Sequence, residues 1–174
     1  DTAIQTNKAP TTMLNEQTLN QLRALRLDGM VAALSDAATH ITASELPFEQ
    51  RLALLVQREV DWRDSKRLER LLKAARLKVS SACLEDIDWR ASRGLSREVI
   101  SSLAGGDWLR HGHNVLLTGA TGCGKTWLAC ALGQQAARLG FSVLYARAPR
   151  LLQELHVAHG DGSLGKRLAQ LARL

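Results

Sequence analysis

Apolar residues recur at helical spacing from Met13 onward, and Leu19, Leu22, Leu25, Met30 and Leu34 mark one face of an amphipathic helix ending near residue 38. The polar residues 40–45 break this pattern. Pro47 at a first helical position, with Glu49 two residues later, starts a second and longer helix. Its early apolar face is Phe48, Leu52, Leu55 and Val56, and Leu68, Leu71, Leu72, Ala75 and Val79 continue it to about residue 79. Wound at about 100° per residue, these last five fall within an arc of roughly 100°, while Arg63, Lys66, Arg67, Arg70 and Lys73 occupy an arc of roughly 120° on the opposite side. One face packs and the other presents cations.

The second half of the chain changes character. Residues 83–89 are acidic and turn-like, and Arg93-Gly94-Leu95-Ser96 reads as a connector, which places a boundary near residues 88–96. Ser96 caps a short helix that runs through Leu103 and stops at Gly105-Gly106. Asn114-Val115-Leu116-Leu117-Thr118 is an apolar run of strand length, and residues 127–139, rich in Ala and Leu, read as helix. After Gly140, residues 141–146 read as a second buried strand, and a helix follows Pro149. Gly160-Asp161-Gly162 interrupts it, and a further amphipathic segment starts at Leu164. Residues 1–12 are polar and without period; they read as a disordered leader outside the fold.

Between the first strand and its helix lies Gly119-Ala120-Thr121-Gly122-Cys123-Gly124-Lys125-Thr126, which fits G-x-x-x-x-G-K-[ST] at every fixed position. The three glycines permit positive φ and close approach of the backbone to a polyphosphate, so successive N–H groups converge on its oxygens. The helix that begins near Lys125 adds the partial positive charge of its first turn. Lys125 then reaches the β and γ phosphates, and the Thr126 hydroxyl is the expected Mg²⁺ ligand. The expected cofactors are ATP and Mg²⁺.

At 174 residues and 45% hydrophobic content the chain suits one domain or two small ones with a real core. It contains no apolar run long enough to span a bilayer, and no secretory signal is legible at its start, so a cytoplasmic protein is expected. The three cysteines, Cys83, Cys123 and Cys130, form neither a paired framework nor a C-x-x-C. His156 and His159, with His111 and His113, lack the spacing of a four-ligand metal site.

The formal net charge of +6 favours polyanionic partners. Its distribution is more specific: seven Lys/Arg face two acids over residues 62–80, and six face two over residues 138–174. Segregating like charge on one helix face costs helix stability, so an external anion is the simpler account of Arg63, Lys66, Arg67, Arg70 and Lys73. DNA is the expected partner, held through phosphates because no base-reading motif accompanies the stripe.

Several blocks in order resemble the IstB-like ATP-binding family, the transposition helper ATPases of bacterial insertion sequences. They are Arg23-Ala24-Leu25-Arg26-Leu27-Asp28-Gly29-Met30, Leu46-Pro47-Phe48-Glu49-Gln50-Arg51-Leu52, Arg67-Leu68-Glu69-Arg70 with Ala74-Ala75-Arg76-Leu77, Leu84-Glu85-Asp86-Ile87-Asp88, Gly106-Asp107-Trp108, and Leu117-Thr118-Gly119 through Leu132-Gly133. The resemblance implies an α/β fold: a P-loop AAA+ ATPase module, related to that of DnaC helicase loaders, preceded by an all-α region. It divides the chain into the leader (1–12), a DNA-engaging helical region (13–90) and the first half of the ATPase module (91–174). It further implies homo-oligomeric assembly on DNA and cooperation with a transposase, with residues 119–126 as the site carried over.

The family's proteins continue into a strand ending in paired acids and later supply a sensor and an arginine finger, none of which occurs in residues 1–174. The expectation is therefore a truncated member that binds nucleotide better than it hydrolyses it, with no catalytic residue assigned. In AAA+ proteins the two strands read here are not adjacent, so the sheet is expected to be incomplete. A DnaC-like helicase loader is the alternative function within this fold; a non-catalytic DNA-binding fragment of a disrupted gene is the alternative outside it.

Overall fold

The computed structural model describes residues 11–37, 46–90 and 94–174. The leader read at residues 1–12 lies outside them up to residue 10, as do the polar break at residues 40–45 and part of the boundary read at 88–96. Eight α-helices occur among the described residues: α1 (Thr11–Ala24), α2 (Asp28–Ala37), α3 (Phe48–Ala75), α4 (Arg97–Ala104), α5 (Asp107–Arg110), α6 (Lys125–Arg138), α7 (Ala148–Gly160) and α8 (Leu164–Leu171). A single 3₁₀ turn, Leu84–Asp86, separates α3 from α4. Contacts divide the chain into two compact units, one up to Arg67 and one from Leu68 to Leu174.

In the first unit the single helix expected over residues 13–38 is two. α1 ends in a left-handed residue, Arg26 at φ 58, with Arg26 N–H donating to Arg23 O at 2.9 Å and Leu27 N–H to Leu22 O at 2.9 Å. This is the hydrogen-bond pattern that closes a helix C-terminus. α2 then starts at once and is capped from a distance. The Glu59 carboxylate on α3 accepts the N–H groups of Gly29 (2.8 Å) and Met30 (3.2 Å), two of the donors that a helix start leaves without partners. The contact requires glycine: a Cβ at Gly29 would lie 2.7 Å from both Arg58 O and Trp62 Cβ. Glu59 is buried, and Arg63 Nε donates to it at 2.7 Å. Burial pushes the pKa of this carboxyl up, but the bonds from Arg63, Met30 and Gly29 outweigh that and hold it below its ordinary value.

The second unit is built around α6. Leu128 and Leu132 on its buried face pack with Ile87 and Ile100, flanked by Trp89, Leu103, Leu117 and Trp127. Cys130 and Ala131 pack with Ala82, flanked by Leu77, Val79 and Tyr145. Gly133 lets Leu77 and Val143 approach, since a Cβ there would meet them at 3.1 and 3.4 Å. Residues 77–87 thus pack on α6 itself. α4 follows its expected course: Ser96 Oγ accepts Val99 N–H at 3.3 Å, and the Gln135 side chain donates to Ala104 O at 3.1 Å, joining α4 to α6. α5 has no counterpart in the periodicity reading; Gly106 at φ 78 admits it and Trp108 Nε1 ties it back to Leu103 O at 2.9 Å. α7 starts with Pro149 in its first turn, and α8 follows Gly162.

The incomplete parallel sheet is not seen among the described residues. Among the described residues none is in a strand, and the segments read as strands, residues 114–118 and 141–146, carry no strand pairing. The one backbone hydrogen bond that reaches across the unit from either is Tyr145 N–H to Ala75 O at 2.8 Å. A strand exists through hydrogen bonds to its neighbour, and these two segments do not pair with each other. Their apolar character persists without the ladder: Leu117 packs in the core while Leu116 beside it is 87% exposed.

Candidate nucleotide and polyanion sites

The glycine loop is fully formed. Gly119, Gly122 and Gly124 have φ of 144°, 85° and 92°, so each of the three glycines sits where a side chain is disfavoured. α6 begins immediately after Gly124, its first internal bond running from Leu128 N–H to Gly124 O at 2.9 Å. Among the described residues, no N–H group from Ala120 to Trp127 donates to another protein atom. Unpartnered donors at the start of a 14-residue helix are the arrangement that attracts anions.

Lys125 is folded over this loop. Its ammonium donates to Gly119 O at 2.8 Å and Ala120 O at 2.6 Å, which holds a cation at the mouth of the loop. Those carbonyls are neutral acceptors that a phosphate oxygen, carrying charge, would displace. Thr126, on the first turn of α6, is exposed beside it, and Cys123 only flanks the loop, with its sulfur 3.2 Å from where a Gly119 Cβ would stand. All eight predicted residues, 119–126, lie together in the loop and the first turn of α6.

Next to the loop lies a cavity of about 650 Å³, within the range of small-molecule sites. It is lined by Gly124 and Lys125 on one side and by Asp86, Ile87, Asp88, Leu95 and Trp127 on others. The sequence reading did not assign these last five to a site. Their signal was present in the alternation of Asp86, Ile87 and Asp88, which sends one side chain into the core and leaves the carboxylates at the surface, but it was read as a turn.

The predicted DNA stripe falls on α3 and is not uniform. Arg63 is committed within the first unit: besides its bond to Glu59, its Nη2 donates to Arg26 O at 3.4 Å. Lys66 lies over the Trp62 ring at 5.3 Å, so that tryptophan shields a cation. Arg67 is exposed near the boundary between the units. Arg70 and Lys73 line a second cavity, of about 670 Å³, together with Arg76 and Arg167.

The profile of the IstB-like ATP binding protein family matches residues 20–174. A Pseudomonas fluorescens protein carrying the name insertion sequence IS1162 ATP-binding protein is 57% identical over 93% of this chain and 70% of its own length. Two Sinorhizobium fredii proteins named as insertion sequence ATP-binding proteins are 45% and 42% identical over 91% and 92% of this chain. The chain spans 64% of each of those two.

Proposed function

The chain belongs to the IstB-like ATP-binding family, and from that premise we propose that residues 119–126 bind ATP with Mg²⁺ and that the protein acts as a DNA-associated helper in the transposition of an insertion sequence. The observation that carries the reading is the loop itself: three glycines at positive φ, unpartnered N–H groups along residues 120–127, and the Lys125 ammonium over them. In this role the backbone N–H groups and Lys125 hold the phosphates, and the Thr126 hydroxyl is the ligand offered to Mg²⁺, whose chemistry when bound is to neutralise the β and γ oxygens. The cavity beside the loop, with Trp127, Ile87 and Leu95 on its walls, accommodates the rest of the nucleotide. The proposal is for binding and assigns no hydrolytic step.

The helical region, residues 13–90, engages DNA through α3, homo-oligomers assemble on DNA, and the assembly cooperates with a transposase in the cytoplasm. What supports this part is the net charge of +6 and the relatives' names, which tie proteins of this sequence to insertion sequences. No helix among the described residues is long and apolar enough to cross a membrane.

The test is calorimetry of ATP·Mg²⁺ binding to the parent and to Lys125→Ala. Charge-assisted bonds from one ammonium to phosphate contribute about 1.5–3 kcal/mol, so the variant should bind roughly 10- to 150-fold more weakly. Equal affinities, or no affinity in a parent whose helicity is intact, would overturn the proposal.

A further inference from the structure

We infer that the cleft between the C-terminal end of α3 and α8 is a binding site for the sugar–phosphate strand of a nucleic acid, with Arg76 and Arg167 as phosphate contacts alongside Arg70 and Lys73. The inference rests on the proposed association with DNA and adds where a strand lies and which residues hold it.

Four cations converge on one cavity of about 670 Å³, and no acidic residue is among the described residues that line it. Arg70 and Lys73 are three residues apart on α3, and Arg76 follows the end of that helix. Arg167 approaches from α8, across the cleft. Ala74, Leu144, Leu171 and Leu174 supply the apolar part of the lining. A lining of cations and apolar side chains suits a chain of phosphates joined by sugars, and the absence of aromatic side chains from the lining means that bases are not held by stacking. Glu154 accepts from Arg167 Nη2 at 3.0 Å, which positions the guanidinium. Arg167 Nη1 also donates to Gln170 at 3.3 Å.

Arg76 adds an independent indication. It has φ 50, in the left-handed region, at the helix end where glycine is the favoured residue. An arginine held there against its backbone preference puts a guanidinium on the cleft wall that glycine would leave empty. The same fact supplies a clean variant. Arg76→Gly removes the charge and places at that φ the residue that adopts it freely, so the fold is not weakened by the change.

The experiment is fluorescence anisotropy of the full chain with a labelled oligo(dT), as a function of salt, for the parent, Arg76→Gly, Arg167→Gln and the double variant. Each single variant should bind about tenfold more weakly, and each should lower the slope of log affinity against log salt by about 0.7, the value for one phosphate of a single strand. An abasic oligonucleotide of equal length should compete as well as oligo(dT). ATP affinity should be unchanged, which separates this site from the glycine loop. Parent-like affinity and slope in the double variant, with binding lost instead in Lys66→Ala/Arg67→Ala, would refute the cleft while leaving nucleic-acid association standing. No binding by the parent would refute both. Poly-glutamate binding as tightly as oligo(dT) would show an acidic polypeptide site and overturn the inference.

Discussion

Gly122→Ala isolates how much nucleotide affinity depends on the shape of the loop. Gly122 has φ 85, and a Cβ added to it would meet nothing within 4 Å, so the substitution introduces no clash and acts only through the backbone. An L-residue in this region costs about 1–2 kcal/mol relative to glycine. If the loop keeps its shape, the protein carries that strain; if it relaxes, binding must restore the shape at the same cost. In the second case 1–2 kcal/mol corresponds to roughly a 5- to 30-fold weaker affinity. Gly162→Ala is the matched control, because Gly162 has φ 77 and equally open surroundings but lies between α7 and α8. Gly162→Ala should lose stability in urea and keep its ATP affinity, whereas Gly122→Ala, where the loop relaxes, should be destabilised less and lose ATP affinity by calorimetry. An affinity within twofold of the parent, in a variant that is not destabilised as Gly162→Ala is, would refute the view that this glycine's conformation is needed for binding. Equal loss of affinity in both variants would trace the effect to global stability.

Two further outcomes follow from the packing. Gly29→Ala should destabilise the first unit by about 1–3 kcal/mol, because the added methyl meets α3 backbone atoms at 2.7–2.8 Å and pushes the Gly29 and Met30 N–H groups off Glu59, whereas Gly165→Ala, in open space on α8, should be neutral or stabilising by up to about 1 kcal/mol; urea unfolding followed by circular dichroism checks both, and a Gly29→Ala variant as stable as the parent would refute the close crossing. Hydrogen bonds from the Cys83 thiol and then Arg138 hold the Glu85 carboxyl at about 2 against an ordinary 4.5, so its contribution to stability is complete above about pH 4.5 and is lost as the pH falls toward 2; Glu85→Gln should flatten the acid limb of a urea-midpoint-versus-pH curve, and an unchanged limb would show the clip to be inert.

What was legible in the sequence was what local chemistry decides. Ser96 accepts an N–H of the first turn of α4, Pro149 opens α7, and Gly160-Asp161-Gly162 closes it, each through interactions spanning a few residues. The glycine loop belongs to the same class, since its φ values are set by its own residues. The break at residues 25–27 was not legible, because its cause lies on another helix: Glu59 supplies the cap for α2 from 30 residues away, and an arginine stands where a helix end normally has glycine. Residues 114–118 and 141–146 have strand composition, but pairing is a property of neighbours and not of the segment, so apolar pattern alone overstated them. The cation stripe was visible as a face of α3, yet projection on a helical wheel could not tell that Arg63 is taken by Glu59, or that Arg70 and Lys73 share a cavity with an arginine 94 residues beyond Lys73 in sequence.

These two kinds of information meet at the loop. Its C-terminal side is α6, whose Leu128 and Leu132 pack on Ile87 and Ile100 in the core, and which the Arg138–Glu85 pair at 2.6 Å ties to the 3₁₀ turn. Its N-terminal side is residues 114–118, held without strand pairing and with Leu117 packed against that same core. The positions of the N–H groups that face a phosphate are set by the glycines and by the start of α6, both on the fixed side. Phosphate recognition should therefore depend on the packing of α6 and not on completion of a sheet, while the exposed Leu116 leaves the entering segment free to pair with a strand without disturbing the loop.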